Sequence, residues 1–467
     1  MQLAALVASG LFLTLLTFLG LWHARQIRSG QDFALAGRKL PLGVLVGTLV
    51  ATWIGTGSIF GYAEKAYEYQ ASMFWLPIAG ALGVLVLSVL AGRVREIPAD
   101  TVPQVLGLRF GPAAQRIGAI ALIAAYLIIV SYQYRAGAAV VGYITQSMAT
   151  PSSQVWGVIG FGVFVILYTV LAGMVSVAWT DLINGILMTV GILLALGVLG
   201  YRAYTAEPNT LPIVTSLREP VPPITFIGWV GMLLPTFLLV LGDANLYQRF
   251  MSAESPTTAR RAAVFMFFGI LVLEWAIIGL ACLGRLLLAE EPVNHGYTVI
   301  EIAFTLMPPW LGVMLIMSVL AVVVTTADSF LLGAATSVST DFGSGLTSAK
   351  RQRVVVVILG LIAMGLAFTS DQFFAVAIYA YTLYGVTLTP AVVAALVAPS
   401  TPPVAVVAGM VSGLTIALLW KFLSFMDRLP ELLANIDPVL PAIAVNLTLL
   451  LVVGLFISLS QKQQSGS

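Results

Sequence analysis

The chain has one cysteine, Cys282, and two histidines, His23 and His295, in 467 residues. A lone cysteine excludes an intrachain disulfide and a cysteine-based metal site, and two histidines far apart in sequence do not form a transition-metal site. Charge is equally scarce, at 9% of the residues, where a soluble domain carries about 25%. There is no Gly-rich nucleotide loop, no Ser-His-Asp order and no long basic tract. The longest polar stretch, residues 199–226, is short and Pro-rich. The sequence therefore indicates neither an enzyme, nor a nucleic-acid partner, nor an obligate protein partner.

What the chain does have is apolar length. Hydrophobic residues make up 59% of it, and a chain of that balance cannot cover itself with polar surface in water. About 20 apolar residues cross a hydrocarbon core as a helix. Thirteen such runs are read here, at roughly 3–22, 42–62, 72–92, 117–147, 154–172, 178–199, 226–243, 262–284, 310–338, 354–370, 373–398, 403–425 and 439–460. No convincing small-residue cleavage site follows the first, so it is expected to be a retained span. The expected fold is an all-α polytopic membrane protein in a lipid bilayer.

Lys and Arg set the orientation of such a chain. One set of loops holds fifteen of them, Arg249 included, and the other holds six, while Arg135 lies inside a span. That asymmetry predicts an external N-terminus, a cytoplasmic C-terminus and a plasma membrane, with a bacterial inner membrane as the expected case.

Two spans are poor continuous helices. The second contains Gly47, Gly55, Gly57 and Gly61, with Thr52, Thr56 and Ser58 among them; the seventh contains Gly228, Gly231, Pro235 and Gly242, followed by Asp243 and Asn245. Glycine and proline weaken helices, and backbone freed at membrane depth needs protein, water or an ion as partner. Close helix packing explains any single glycine equally well. The pair of breaks lies five spans apart, which is the signature of inverted repeats. The chain then divides into a peripheral helix and loop (1–41), a first repeat (42–199), a second repeat (200–398) and two peripheral helices with a short tail (399–467).

Several polar side chains fall at depth. Thr325-Thr326-Ala327-Asp328-Ser329 lies in the ninth span. One Thr can bond back to its own helix, but hydroxyls, a carboxylate and unwound carbonyls together are hard ligands suited to a small hard cation. Asp181 is either a helix cap or an ion ligand. Arg135 either has an internal partner or clamps a carboxylate. Glu274 either pairs with an Arg or lines a pathway. Trp53, in the broken span, can pack or face a cation, and Tyr379, Tyr381 and Tyr384 form either core or cavity wall.

Five stretches carry a resemblance to the sodium/solute symporter family, which includes sodium/proline, sodium/galactose and choline transporters. They are Asp32–Arg38, Ala51–Gly61, Gly173–Asp181, Gly242–Phe250 and Thr325–Ser329. The resemblance implies two inverted five-helix repeats, alternating access and coupling to Na⁺. It places a common sodium on the carbonyls of Ala51, Ile54 and Val322 and the hydroxyls of Thr325 and Thr326. A second sodium, held by some members only, would use Asp181 and Ser329, with Asp328 near. The implied solute site includes Trp53, Ser58, Gln133, Arg135, Asp243, Asn245 and Tyr381. Arg135 falls close to an Arg of acid-transporting members such as sialic acid carriers, which points to a carboxylate-bearing solute. Gln133 and Asp243 stand where choline carriers have aromatics. A proton-coupled carrier of the same fold, and a sodium symporter for a quaternary amine or a sugar, remain open as alternatives. A membrane sensor is disfavoured because no output domain follows Gln461–Ser467.

Overall fold

The computed structural model describes residues 1–24, 34–145, 151–205, 223–289, 291–292, 294–343, 349–370, 372–430, 433 and 436–465. Asp32 and Phe33 of the first motif, and most of the Pro-rich stretch 199–226, lie outside the described residues. Among the described residues the regular structure is helical, apart from one isolated bridge between Leu40 and Ala253.

The helices are α1 (Gln2–Ala24), α2 (Leu42–Trp53), a π-helical turn (Gly57–Tyr62) continuing into α3 (Ala63–Tyr69), α4 (Leu76–Glu96), α5 (Val102–Phe110), α6 (Pro112–Thr145) and α7 (Pro151–Thr205). They continue with α8 (Phe226–Gly242), α9 (Ala244–Ser252), α10 (Pro256–Leu287), α11 (Thr298–Thr305), α12 (Pro309–Asp341), α13 (Ala349–Leu366), α14 (Phe373–Val397), α15 (Pro403–Phe425) and α16 (Val439–Ser465). Among the described residues, eleven stretches are long and apolar enough to cross a membrane. The thirteen expected from sequence exceed this at two places. Gly57–Glu96 counts as one stretch, and α13 opens on Lys350, Arg351 and Arg353, which leave it too charged to count.

The local reasons are legible. Thr101 caps α5 by accepting from the Gln104 N–H, and Ser255 caps α10 by accepting from that of Thr258, each with Pro in the first turn. Gly173, at φ 62° and ψ 172°, takes a conformation closed to side-chain-bearing residues and splits α7 into the two spans read from sequence. The α12 and α14 helices are the most enclosed, with 83% and 78% of their apolar stretches buried, against 28% for α1 and 22% for α16. Large apolar side chains such as Leu3, Phe18, Val89, Phe268 and Phe456 point outward, as they must in lipid. The core therefore runs along α12 and α14, with α2, α6, α7 and α8 packed around them.

Two expectations change. Of the candidate breakers in the seventh span, Gly228, Gly231 and Pro235 sit inside a continuous α8. The span breaks at Asp243, whose backbone (φ −59°, ψ 112°) ends α8 and whose side chain caps α9. The chain then continues as helix to Ser252, so Arg249 is not a loop residue: its side chain is 1% exposed. The misreading has a simple cause, since the first polar residues after an apolar run look like the end of a span.

Candidate functional site

The second span breaks at Ile54 and Gly55. Ile54 leaves helical geometry at ψ 94°, and the Val50 carbonyl accepts its N–H at 3.0 Å. A helix end leaves its last four carbonyls without helical partners, so those of Ala51, Thr52 and Trp53 remain. The break lies directly against α12. A Cβ on Gly55 would sit 3.0 Å from the Thr326 hydroxyl oxygen, so glycine is what allows the approach. Thr326 Oγ1 is buried and has no hydrogen-bond partner. The neighbouring Thr325 hydroxyl accepts from Asn184 Nδ2 at 2.7 Å. Val322 lies one turn earlier on the same helix face. The fold thus brings the break that carries Ala51 and Ile54 onto the face that carries Val322, Thr325 and Thr326.

One turn further along α12, Asp328 and Ser329 are buried, and Ser329 Oγ donates to Asp328 Oδ1 at 3.3 Å. Asp181 is fully buried within α7, well inside the helix, so it is not a cap. Its Oδ2 accepts from the Thr48 and Thr52 hydroxyls and from Arg249 Nη2 at 3.1 Å. The same Nη2 donates to Ser329 Oγ at 2.8 Å, Nε donates to Thr48 Oγ1 at 2.9 Å, and Nη1 donates to the Asn245 carbonyl at 3.3 Å. A guanidinium therefore holds two of the three groups that the resemblance assigns to a second sodium. Asp181 Oδ1 stays buried without a partner. Sequence reasoning missed Arg249, Thr48 and Asn184; the spacing of Thr48 and Thr52, one helical turn apart, was the available signal.

The residues expected to face the solute fall in three places. Trp53, Ser58, Gln133 and Tyr381 gather around the α2 break. Trp53 Nε1 donates to Glu274 Oε1 at 3.1 Å and Ser58 Oγ donates to the same oxygen at 2.8 Å. Gln133 Oε1 accepts from the Thr56 hydroxyl, leaving Nε2 without a partner. A Cβ on Gly57 would lie 2.7 Å from the Tyr381 hydroxyl, which is 3.5 Å from that of Tyr132. A cavity of about 500 Å³ is lined in part by Lys65, Phe374, Tyr379 and Thr382, and Tyr381 is not among its lining residues.

Asp243 and Asn245 sit at the other break. Asp243 Oδ1 accepts from Tyr126 OH at 2.6 Å and from the Asn245 N–H at 2.7 Å, and that N–H also lies 2.9 Å from Tyr126 OH. Tyr384 OH donates to the Gly242 carbonyl at 2.7 Å and accepts from the Ala244 N–H at 3.0 Å. The Asn245 amide itself is buried without a partner. Arg135 is apart from both groups, three residues past Tyr132 on α6, with Nη1 donating to the Ala367 carbonyl at 3.1 Å.

A bundle of enclosed helices, two of them broken inside the membrane with polar side chains gathered at the breaks, is the architecture of a secondary transporter. The model of the sodium:solute symporter family matches residues 33–411, and the chain belongs to that family, whose members are transporters rather than enzymes. It is a multi-pass membrane protein. It is 24% identical over 441 residues to sodium/proline symporter 2 of Staphylococcus saprophyticus, covering 88% of this chain and 84% of that one. It is 25% identical to the sodium/proline symporter of Salmonella typhimurium, covering 86% and 85%. It is also 25% identical to high-affinity choline transporter 1 of Drosophila melanogaster, covering 63% of this chain and 45% of that one. Its fold matches that of a Na⁺-coupled sialic acid symporter with a TM-score of 0.75 at 15% identity, covering 96% of this chain and 97% of that one. It matches Mhp1, a nucleobase-cation-symport-1 family transporter, at 0.62 and 14% identity, covering 92% and 94%. These two likenesses fix the fold as one of paired inverted five-helix repeats.

Proposed function

We propose that this protein is a sodium-coupled symporter that imports a small carboxylate-bearing solute by alternating access. The observation that carries the sodium reading is the close approach of the α2 break at Gly55 to Thr326, whose buried hydroxyl has no partner. Sodium is the substrate held there, by the carbonyls of Ala51, Ile54 and Val322 and the hydroxyls of Thr325 and Thr326. An ion bridging the broken helix to α12 favours the arrangement in which both are in register, and so favours solute binding at the same break. Such coupling needs only about 1–3 kcal/mol between the sites, and one charge moving through 100 mV supplies roughly 2.3 kcal/mol. A second sodium at Asp181, Asp328 and Ser329 requires Arg249 to give up its place.

Residues 42–199 and 200–398 are the two repeats in this reading, flanked by 1–41 and 399–467. The N-terminus is external and the C-terminus cytoplasmic in a plasma membrane, such as a bacterial inner membrane; moving Arg249 out of the loops leaves the basic asymmetry large. In proteoliposomes at fixed pH, solute uptake is expected to collapse when external sodium is replaced by potassium. Undiminished uptake in sodium-free buffer would overturn the reading in favour of a proton-coupled carrier.

For the solute, the carboxylate rests on Arg135, whose fork can bind both oxygens where a lysine offers a point charge. Arg135→Lys and Arg135→Ala are both expected to raise the KM for a carboxylate solute by about tenfold or more, as for a lost charged hydrogen bond. Normal KM values in both variants would remove the clamp from the proposal.

A further inference from the structure

Glu274 is a buried carboxylate in the bundle that the sodium mechanism does not use. It lies on α10 with no exposed surface, beside the α2 break. Both of its hydrogen bonds, from the Trp53 indole and the Ser58 hydroxyl, end on one oxygen, Oε1. The other, Oε2, is buried with no partner at all. Among the described residues no Lys, Arg or His pairs with it. A buried carboxylate without a counter-charge is strongly unfavourable.

Such a group is completed either by a proton or by a cationic donor. The two donors fix Oε1, and Oε2 is the oxygen left open. The walls around the carboxylate are aromatic: Trp53 touches it, and Tyr62 and Tyr381 are its electrostatic neighbours. Aromatic faces with one open carboxylate oxygen suit a cation that carries N–H donors.

We propose that Glu274 is a solute-binding residue that holds a protonated amine, with Oε2 accepting an N–H of the solute while Trp53 and Ser58 fix Oε1. This rests on the symport reading above and deepens it: the solute class becomes one that carries an N–H-bearing cation, an amino acid where the carboxylate proposal also holds. A quaternary amine, with no N–H, would leave Oε2 as it is.

The test uses purified full-length protein in sodium buffer. A set of L-amino acids, proline included, is titrated by thermal shift against matched acids that carry a hydroxyl or ring oxygen in place of the amine, such as lactate for alanine and tetrahydrofuran-2-carboxylate for proline. At least one amino acid is expected to bind about tenfold or more tighter than its partner. In Glu274→Gln, which keeps the size and the acceptor on Oε1, that preference should shrink to within about threefold. Glu274→Asp should keep the preference at weaker affinity. A separate titration with sodium alone, without solute, reports folding and the ion site.

Equal binding of both members in every pair overturns the amine assignment while leaving the carboxylate and sodium readings standing. An undiminished preference in Glu274→Gln overturns it as well, as does the absence of any amino-acid binding. A variant that loses a pH dependence of uptake but keeps the amine preference would make Glu274 a proton carrier instead. Loss of the solute-free sodium shift in the wild type would sink the sodium reading alone.

Discussion

Arg249→Ala is expected to be the most damaging single substitution in the protein, at about 3–5 kcal/mol of stability. The guanidinium is 1% exposed and its partner Asp181 is fully buried. Removing it leaves that carboxylate with only the hydroxyls of Thr48 and Thr52, deprives Ser329 of a donor and removes a side-chain bond to the Asn245 carbonyl. Surface ion pairs seldom matter, but a buried one with a single partner deleted leaves an uncompensated charge. The double variant Asp181→Asn with Arg249→Gln should therefore lose less than Arg249→Ala alone, the mark of direct coupling. Thermal unfolding of the wild type and the two variants in detergent measures this; a double variant no more stable than Arg249→Ala would mean the pair is not the cause. The same experiment bears on the second ion. If sodium chloride raises the melting point of Arg249→Ala more than potassium chloride does, the oxygens of Asp181 and Ser329 can hold sodium once the guanidinium is gone.

Thr326→Ala is expected to raise the sodium concentration for half-maximal uptake by about tenfold or more, with a smaller effect on maximal rate at saturating sodium. The hydroxyl is buried, touches the break at Gly55 and has no bond to lose within the protein. Its removal should thus leave stability nearly unchanged while weakening the ion. Thr325→Ala should shift sodium dependence in the same direction with some loss of stability, because Asn184 Nδ2 then loses its acceptor. Initial rates of uptake across a sodium series check both. Unchanged sodium dependence in the two variants would mean that the ion sits elsewhere.

Much of this was legible in the sequence, and for physical reasons. Apolar length fixes where a chain crosses lipid, because lipid offers no other partner for backbone polar groups. Gly55 and Gly57 betrayed the first break because they permit two close approaches, to Thr326 and to Tyr381. The second break was read only as a stretch from Gly228 to Asn245; within it a helix can carry Pro235, whereas Asp243 ends the helix by offering the next turn a partner for the Asn245 N–H. Arg249 and Asp181 were both visible as charges, but their pairing spans 68 positions, and nothing in local pattern reports a contact at that distance. Glu274 was conspicuous as a carboxylate in an apolar run; that its partners would be an indole and a hydroxyl rather than an Arg depends on how α10 meets the break.

The two breaks share a position in the architecture and differ in chemistry. At the second, Asp243, Tyr126 and Tyr384 take up the loose ends of the chain, N–H and carbonyl alike, so the corner is riveted from within. At the first, the protein supplies glycine, a hydroxyl with nothing to bond and a carboxylate with one bare oxygen. At one joint the backbone is answered by the protein's own side chains; at the other it is left with unspent valence. A repeat architecture that could have answered each half alike has made one half mortar and left the other to be completed by its cargo.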